Sequence, residues 1–416
     1  MPPIRVGIVG AGRIVPAHLR GYAALRAAGF DDVRITAICS RDPARAQSFV
    51  RGGGLSAAAE PVDGPASDPL FAPPIAVADF QDDVEAGVFT DLRDMLDAGL
   101  VDAVDITTEV ALHHAQALMC LEAGVHAMVQ KPFAISVRAA RRMVEAARQR
   151  GLALVVCENA RFNRPVRIAK WLIDRGDLGT PQMASSTALG TIWSPDRFVG
   201  NSAWRHRRLL GAAGASLDIG PHIFHRLRML CGEVDAVAAF ARVFEPTRYL
   251  RDADGNVVDT VSCDADDAFM AVASFASGAI AQLSFAFAGH GEPLSMVGPV
   301  FYGSRGSIKG EALHLDGEAP TTLDAYFARH GAADAEKLFP LGLSDAFALL
   351  LRDWLTAIRD GHTPETGGEE GLRDLAASFA IVEASAAGRA VTLDEVLSGA
   401  VDAYQRELDE HYGLLP

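Results

Sequence analysis

Residues 4–15 read IRVGIVGAGRIV and decide the class of the fold. An apolar, β-branched run ends at Val9, and the pattern becomes helical after the glycine-rich stretch. A dinucleotide-binding unit needs this order of strand, turn and helix, because the first glycine makes the tight turn and the second lets the backbone approach a pyrophosphate. Val15 replaces the third glycine, which should loosen helix-on-strand packing. The predicted cofactor contacts in this stretch are Gly10, Gly12, Arg13 and Ile14. A glycine turn without a ligand is the alternative.

The first third of the chain repeats this alternation of strand and helix. Apolar runs lie at 5–9, 33–39, 103–106, 127–129 and 154–157. The pattern predicts a doubly wound α/β domain with a parallel sheet, a Rossmann domain, over residues 1–157. A stretch rich in Gly, Ala and Pro, at about 52–83, interrupts the pattern and predicts an inserted surface loop.

The pattern changes after residue 157, as expected for a chain of 416 residues that is too long for a single core. Helices are predicted over 164–175, after Asp218, and over 345–359 and 371–387, and strands over 269–275 and 280–287. These elements predict an α+β domain over residues 158–416, with a large, open, mostly antiparallel sheet. Its last helices are expected to pack back toward the first domain.

Composition excludes several classes of protein. The formal net charge of −15 argues against a nucleic-acid binder, which needs clustered Lys and Arg. No apolar run reaches the roughly 20 residues that a membrane helix needs. The five cysteines lack ligand spacing, so they predict buried free thiols and no metal site. Since the start of the chain also lacks the pattern of a signal peptide, we expect a cytoplasmic protein.

The end of the second predicted strand bears on the choice of cofactor. It reads Ile38-Cys39-Ser40-Arg41-Asp42, with Ser40 where NAD-specific domains usually carry an acidic residue. A hydroxyl and a guanidinium can bind a 2′-phosphate through charge-assisted hydrogen bonds, so Ser40 and Arg41 favour NADP over NAD. In the alternative interpretation, Arg41 is a solvated turn residue and Asp42 binds the ribose.

Three further segments carry candidate site residues. Ile106-Thr107-Thr108-Glu109 leads to His113, Gln130-Lys131-Pro132 follows a predicted strand, and residues 211–222 read GAAGASLDIGPH. Together with the glycine-rich loop, these segments make nearly the whole chain resemble the Gfo/Idh/MocA family of glucose-fructose oxidoreductase and inositol dehydrogenase. The resemblance implies an NAD(P)-dependent oxidoreductase acting on a secondary hydroxyl of a sugar, inositol or glycoside. It also implies a homodimer or homotetramer formed through the C-terminal sheet.

The resemblance implies that Thr108, His113, Gln130 and Lys131 contact the cofactor near the nicotinamide ribose. Glu109 stands where the family has proline, and Gln130 stands where it has glutamate. Gln130 can still accept a hydrogen bond from the ribose. The carboxylate that would have raised the pKa of Lys131 is absent, which could favour proton transfer.

The third segment resembles the family's helix that carries D-x-x-x-H. Asp218 and His222 are four residues apart, so one helix would place both on one face, and Pro221 requires that helix to begin just before it. Oxidation of an alcohol releases a hydride to the nicotinamide and a proton to a base, for which His222 is suited. Lys131 would stabilise the alkoxide, and Asp218 would orient both. In some members of the family, the lysine rather than the histidine is the immediate base, so Lys131 could have this role here. Alternatively, Asp218 caps a helix and His222 is a core histidine.

Candidate substrate contacts also follow from the resemblance. They are Asn159 and Arg161, at the start of the second domain, with Trp204, Arg205, His206 and His225. Polar groups can bind hydroxyls, and Trp204 can cover the face of a sugar. His225 stands where the family often has aspartate, and each of these residues could instead be structural.

Two other activities stay open at this point. Proteins that resemble this chain include a glycosidase that retains its cofactor and oxidises C3 transiently, and a non-catalytic NAD(P) sensor. The presence of Lys131, Asp218 and His222 argues against the sensor, which needs no proton path. The sequence does not exclude the glycosidase.

Overall fold

The computed structural model describes residues 2–52, 69–295 and 300–415. The chain forms two compact units. The first comprises Met1–Phe133, Ala140–Phe162 and Phe339–Gly371, and the second comprises Ala134–Ala139, Asn163–Leu338 and Leu372–Pro416. The first unit therefore includes a late stretch of chain that the sequence assigns to the second domain.

A six-stranded parallel sheet forms the centre of the first unit. Its strands are β1 (Ile4–Val9), β2 (Val33–Cys39), β3 (Gly87–Phe89), β4 (Ala103–Ile106), β5 (His126–Gln130) and β6 (Leu154–Cys157). Their order is β3-β2-β1-β4-β5-β6, and all neighbours are parallel. This confirms the predicted doubly wound sheet, with the short β3 as an addition. The order reverses at β1 and β4, and ligands of such sheets bind at the carboxyl ends of these strands.

The helices of the described residues confirm those predicted over 164–175, 345–359 and 371–387. They are α1 (Val15–Ala27), α2 (Pro43–Arg51), α3 (Leu92–Asp97), α4 (Val110–Glu122), α5 (Val137–Arg150), α6 (Arg164–Asp174), α7 (Arg208–Gly211), α8 (Ala215–Asp218), α9 (Gly220–Cys231), α10 (Leu323–His330), α11 (Ala335–Leu338), α12 (Ala346–Asp360), α13 (Gly368–Ala387), α14 (Leu393–Ser398) and α15 (Arg406–His411). Helix α12 joins the first unit because α1 packs closely on it. A Cβ at Gly21 of α1 would lie 2.9 Å from side-chain atoms of both Phe347 and Leu351.

A ten-stranded sheet dominates the second unit. The strands of this unit are β7 (Pro181–Leu189), β8 (Val234–Arg242), β9 (Thr247–Arg251), β10 (Val257–Ser262), β11 (Ala268–Phe275), β12 (Ile280–Ala286), β13 (Leu294–Ser295), β14 (Val300–Gly303), β15 (Gly306–Lys309), β16 (Ala312–Leu315), β17 (Thr321–Thr322) and β18 (Val391–Thr392). The order is β17-β16-β15-β14-β7-β12-β11-β8-β18, with β13 also on β7, while β9 and β10 pair separately. The β7–β12 pair is parallel and the neighbouring pairs are antiparallel, which confirms the mostly antiparallel sheet.

The predicted insertion at 52–83 lies partly outside the described residues, which omit 53–68. Its later part contains two 3-10 turns, Pro69–Phe71 and Val77–Asp79. Gln81 is buried, and its carboxamide accepts from Ile35 N–H at 2.9 Å and donates to Ile35 O at 2.9 Å. The other residues of 69–83 are mostly exposed or half-buried, as in a surface loop, and the carboxamide ties this loop to β2 because it satisfies the main chain as a neighbouring strand would.

The cysteines agree with the composition-based prediction. All five are free thiols, four of them buried and Cys263 half-buried. Across 2–52, 69–295 and 300–415, no helix has the length and apolar character needed to cross a membrane. The same ranges contain no group of three or more His, Cys, Asp or Glu side chains arranged to hold a metal ion.

Candidate active site

The two glycines of the loop between β1 and α1 differ in what the protein requires of them. Gly10 has a φ of +106°, and a Cβ there would lie 2.8 Å from Thr107 Oγ1, so the turn itself needs glycine. A Cβ at Gly12 would lie 3.8 Å from Thr107 O, the nearest described atom, at an ordinary contact distance. Since no described neighbour requires glycine at position 12, the open space suits a pyrophosphate that approaches the backbone.

The start of α1 also suits an anion. Its cap residue, Ile14, makes no side-chain hydrogen bond to the first turn of the helix. The N–H groups of a helix start attract phosphate, and the side chain of Ile14 does not compete for them. Val15 is fully buried, while Arg13 and Ile14 are half-buried in the loop. These residues fit a bound dinucleotide.

At the end of β2, the carboxylate of Asp42 is already engaged. Its Oδ1 accepts hydrogen bonds from the N–H groups of Ala44 at 3.0 Å and Arg45 at 3.1 Å, which makes Asp42 the cap of α2. Ser40 Oγ accepts from Asp42 N–H at 3.2 Å, and the neighbouring Arg41 is exposed. The loop therefore presents a hydroxyl and a guanidinium, and its acidic residue is used to start a helix.

His113 connects the loops that follow β4 and β5. Its Nδ1 lies 2.9 Å from Pro132 O and its Nε2 lies 3.0 Å from Thr108 O. Burial lowers the pKa of His113 to about 4, so the imidazole is neutral near pH 7 and donates to one of these two carbonyls. Thr108 Oγ1 donates to Gln116 Oε1 at 2.6 Å. His113 thus holds the two loops that carry predicted cofactor contacts.

Lys131 follows β5 directly and is half-buried, and its peptide bond to Pro132 is cis. Gln130 is buried, and its Oε1 accepts from Lys131 N–H at 2.7 Å. The Nε2 of the same carboxamide lies 2.9 Å from His18 Nε2. The side chain predicted to bind the ribose is therefore turned inward, while Lys131 lies at the carboxyl edge of the sheet.

Asn159 and Arg161 lie in the 3-10 turn Asn159–Phe162 after β6, within the first unit. Both are half-buried. Arg161 Nε donates to Glu365 Oε2 at 2.9 Å, so its guanidinium is held beside a carboxylate. Asn159 begins this turn.

In the second unit, Asp266 fixes the glycine-rich segment before Asp218. Its carboxylate accepts from Gly214 N–H at 3.0 Å, Ser216 N–H at 2.9 Å and Ser216 Oγ at 2.9 Å. A Cβ at Gly214 would lie 1.7 Å from Asp266 O, so no other residue fits there. These contacts set the position of α8, whose last residue is Asp218.

The prediction of one helix through Asp218 and His222 is wrong. Helix α8 ends at Asp218 and α9 begins at Gly220, where a Cβ would lie 2.8 Å from Ser378 Oγ. A proline is accepted in the first turn of a helix and not in its interior, so Pro221 starts a new helix. The cap residue of α9, Ile219, makes no side-chain hydrogen bond to the first turn of this helix. His222 lies in the first turn of α9 and is half-buried.

Arg205 pairs with Asp218. Its Nε lies 3.5 Å from Asp218 Oδ2, and both side chains are less than one-fifth exposed, at 18% and 17%. The guanidinium lies 4.3 Å from the centroid of the Trp204 ring, and Arg205 Nη1 donates to Ser202 Oγ at 2.7 Å. The Arg205 guanidinium therefore faces the Asp218 carboxylate from the segment that precedes α8.

Two further candidate histidines are buried. His206 Nε2 accepts from Val199 N–H at 3.0 Å, and burial, together with Arg248 and Arg205, lowers the pKa of His206 to about 3. His225 Nδ1 contacts Asp374 Oδ2, and Asp374 Oδ1 accepts from Arg228 Nη1 at 2.7 Å. The described contacts of His225 place it in a buried ion-pair cluster.

The sequence reasoning missed His18 and Asp105. His18 lies on the buried stripe of α1 with Val15, Leu19 and Tyr22. A histidine at such a core position needs a polar partner, and that need is the signal in the sequence. The partners themselves come from distant strands, which the sequence does not identify.

The first unit combines a parallel sheet with the glycine-rich loop between β1 and α1, and the second is built on an open sheet. This combination is typical of a dinucleotide-binding oxidoreductase. The model of the oxidoreductase family with an NAD-binding Rossmann fold matches residues 4–158, and that of the GFO/IDH/MocA C-terminal domain matches residues 166–309. The chain belongs to the GFO/IDH/MocA family of NAD-binding oxidoreductases.

The proteins that this chain is similar to are named as enzymes that act on sugars and their derivatives. A 1,5-anhydro-D-fructose reductase from Ensifer adhaerens is 28% identical over 294 residues, 71% of this chain and 80% of the relative. A levoglucosan dehydrogenase from Pseudarthrobacter phenanthrenivorans is 30% identical over 229 residues, 53% of this chain and 57% of the relative. A structure of levoglucosan dehydrogenase with NADH and L-sorbose matches with a TM-score of 0.75 and 22% identity, covering 94% of this chain and 99% of the other. This last match shows a shared fold.

Proposed function

We propose that the chain is an NAD(P)-dependent dehydrogenase or ketoreductase that acts on a secondary hydroxyl or ketone carbon of a sugar, cyclitol or glycoside. The observation that carries the proposal is the position of Lys131 at the carboxyl end of β5, in the unit that also holds the phosphate loop. The names of the two relatives support this substrate class. They also favour net hydride transfer over the glycosidase and sensor alternatives.

The proposed mechanism divides the chemistry between cofactor and protein. The nicotinamide supplies hydride transfer when the dinucleotide is bound. The hydroxyl proton must then pass to a side chain, and we assign this role to His222, with the Lys131 ammonium stabilising the alkoxide and helping to relay the proton. Asp218, whose charge is offset by Arg205, orients the pair. In the alternative assignment, Lys131 is the immediate base.

For the substrate, we propose contacts from Trp204, Arg205, Asn159 and Arg161. The Arg205 guanidinium lies over the Trp204 ring, and this pair of an aromatic ring and a cation suits a polyhydroxylated ligand. Asn159 and Arg161 are proposed as further hydrogen-bonding partners. The buried His206 and His225 are better suited to support the walls of the pocket than to bind hydroxyls.

For the cofactor, we propose a preference for NADP(H). The support is the Ser40 hydroxyl beside the exposed Arg41 and the engagement of Asp42 as a helix cap. Replacing Arg41 by alanine should lower kcat/KM for NADP⁺ by about 10-fold to 100-fold and leave NAD⁺ nearly unaffected, since a charge-assisted hydrogen bond contributes about 1.5–3 kcal/mol. The matched control is Arg150→Ala on α5. Equal losses for both cofactors would overturn the preference.

We further propose that the ten-stranded sheet joins subunits into a homodimer or homotetramer. One face of this sheet, the apolar sheet face, exposes large side chains at neighbouring register positions. They are Met183, Phe240, Met270, Val272, Ile280 and Tyr302. Monomers rarely expose a large apolar patch, and a second copy of the chain is the proposed occupant.

The deciding experiment is an assay of reduced nicotinamide. Purified protein is incubated with NAD⁺ or NADP⁺ and a panel of sugars, inositols and simple glycosides. Lys131→Ala should lower kcat by about 100-fold or more, because it removes a group that acts in proton transfer. The matched control is Lys170→Ala, at the exposed Lys170–Asp174 pair of α6. Aglycone release without reduced nicotinamide would favour the glycosidase, and a Lys131→Ala variant of wild-type activity would contradict the mechanism.

A further inference from the structure

A buried chain of polar groups leads from β4 to the main chain of Lys131. Asp105 of β4 and His18 of α1 are fully buried, and His18 Nδ1 lies 2.8 Å from Asp105 Oδ2. On the other side of the ring, His18 Nε2 lies 2.9 Å from Gln130 Nε2. Gln130 Oε1 then accepts from Lys131 N–H at 2.7 Å. Two side chains thus connect a buried carboxylate to the residue to which we assign a proton-transfer role.

The surroundings of His18 are closed and contain few other polar groups. From α1, Tyr22 Oη donates to Asp105 Oδ2 at 3.4 Å. From β6, Cys157 Sγ lies 3.7 Å from His18 Nε2, and burial raises the pKa of this thiol. From α12, the ring of Phe347 lies 5.1 Å from the imidazole. The protonation of His18 therefore depends on Asp105, Gln130 and Cys157.

Hydrogen-bond accounting fixes the direction of each contact. The main-chain N–H of Lys131 can only donate, so Gln130 Oε1 must face it and the amide hydrogens on Gln130 Nε2 must face His18. His18 Nε2 must then accept, and its ring proton lies on Nδ1, where it is donated to Asp105. The ring is neutral in this arrangement, and all three contacts are satisfied.

Electrostatics alone would favour the charged ring. Burial lowers the pKa of His18, but the Asp105 carboxylate and Cys157 raise it, to about 10. An imidazolium would direct a second N–H at Gln130 Nε2, which is itself a donor, over 2.9 Å. The hydrogen bonds decide the balance, because a buried charged donor that faces another donor keeps its full desolvation cost.

We propose that His18 and Gln130 are positioning residues for Lys131, with His18 held as the neutral Nδ1–H tautomer between Asp105 and the Gln130 carboxamide. This inference rests on the proposed function only for the catalytic role of Lys131. It makes the amide at position 130 the group that sets the charge of His18. A glutamate there could accept from both Lys131 N–H and His18 Nε2–H, so the added negative charge would be balanced by a proton gained on His18.

Nitrogen NMR of protein with labelled histidine rings tests the tautomer without substrate or cofactor. In the wild type, between about pH 6 and about 8, His18 should show one protonated and one unprotonated ring nitrogen, although a free imidazole titrates in this range. In Gln130→Glu, both nitrogens should be protonated. His18→Asn assigns the signals, and Gln149→Glu on exposed α5 adds the same charge elsewhere and should leave them unchanged. A doubly protonated ring in the wild type, or no change in Gln130→Glu, would overturn the inference.

Kinetics test the positioning of Lys131. Gln130→Ala removes the acceptor for Lys131 N–H and should lower kcat by about 10-fold to 100-fold, as small misplacements of catalytic groups do, with little change in KM for the dinucleotide. Gln130→Glu keeps an acceptor at the same place and should retain most of kcat. Equal losses in the two variants would overturn the positioning role. If the NMR shows the expected tautomer but no substrate is oxidised, the His18–Gln130 contact is supported and only the proposed dehydrogenase function is rejected. A failure of the inference and a failure of the proposed function are therefore distinguishable.

Discussion

Gly10 and Gly12 lie two residues apart in one loop, and substitution should separate their roles. At Gly10, alanine would adopt an unfavourable positive φ and contact Thr107, so we expect a loss of about 1–3 kcal/mol in the free energy of unfolding. At Gly12, alanine meets no close described atom, so the melting temperature of the free protein should be unchanged. Dinucleotide affinity should nevertheless fall by about 10-fold or more, the equivalent of one hydrogen bond to a charged group.

Two measurements on each glycine variant check this prediction: thermal unfolding without ligand, and titration with NADPH and NADH by nicotinamide fluorescence. Ala11→Gly is the control for loop flexibility. Wild-type affinity in Gly12→Ala would show that the pyrophosphate does not approach this backbone.

His206 should make stability depend on pH. The unfolded chain binds a proton at His206 below about pH 6.5, whereas burial and Val199 N–H keep the folded imidazole neutral down to about pH 3. Stability is therefore lost as the pH falls through this window, by up to about 1.4 kcal/mol per pH unit. In His206→Asn, the free energy of unfolding should fall less steeply as the pH is lowered, by up to about 1.4 kcal/mol per pH unit.

Urea unfolding at several pH values between about 4.5 and about 7.5 measures this slope, which is independent of any constant destabilisation by the substitution. The exposed His290 provides the control variant, His290→Asn, whose slope should match the wild type. A His206→Asn variant with the wild-type slope would mean that the folded imidazole takes up the proton.

At the scale of elements, α8 and α9 illustrate what a sequence determines locally. The loop from Gly10 to Val15 is defined by near neighbours, so its spacing predicted both the strand before it and the helix after it. Pro221 indicated correctly that a helix begins just before it. The break between Asp218 and Gly220 also depends on Ser378 of α13, which lies far along the chain, and was not predicted.

The same distinction explains which site residues were found. Lys131 is predicted from the resemblance of Gln130-Lys131-Pro132 to a family motif, because the whole motif lies in consecutive residues. The contacts of His18 with Asp105 and Gln130 depend on the order β1-β4-β5 across the sheet, which the local pattern does not specify. The three-residue β3 was missed for a related reason, since so short a strand forms only by pairing with β2.

Asp266 should hold α8 in place, and its replacement by asparagine tests this. The carboxylate accepts three hydrogen bonds from Gly214 and Ser216, whereas the amide group of asparagine would face at least one N–H donor. We expect a loss of about 2–3 kcal/mol in the free energy of unfolding. Activity should also fall, because Asp218 ends the helix that Asp266 fixes, while dinucleotide binding, which belongs to the first unit, should persist.

Chemical denaturation, turnover and cofactor titration together measure these effects. Asp235→Asn on the exposed part of β8 serves as the control and should change stability by less than about 0.5 kcal/mol. Normal turnover in a destabilised Asp266→Asn variant would show that Asp218 does not depend on this anchor.

At the scale of the whole molecule, the apolar sheet face carries the prediction about assembly. Met270 is 58% exposed on this face and pairs with Phe240 across β11 and β8. Because the Met270 side chain lies outside the core, Met270→Lys should cost little stability in an isolated subunit. In an interface, however, the lysine would be a buried charge without a partner. We expect the variant to elute as a monomer when the wild type is a dimer or tetramer. Light scattering coupled to size-exclusion chromatography measures the mass, with Val258→Lys as the matched control on the separate β9–β10 pair. A wild-type protein that is itself monomeric, or a Met270→Lys variant of unchanged mass, would leave this face without the proposed partner.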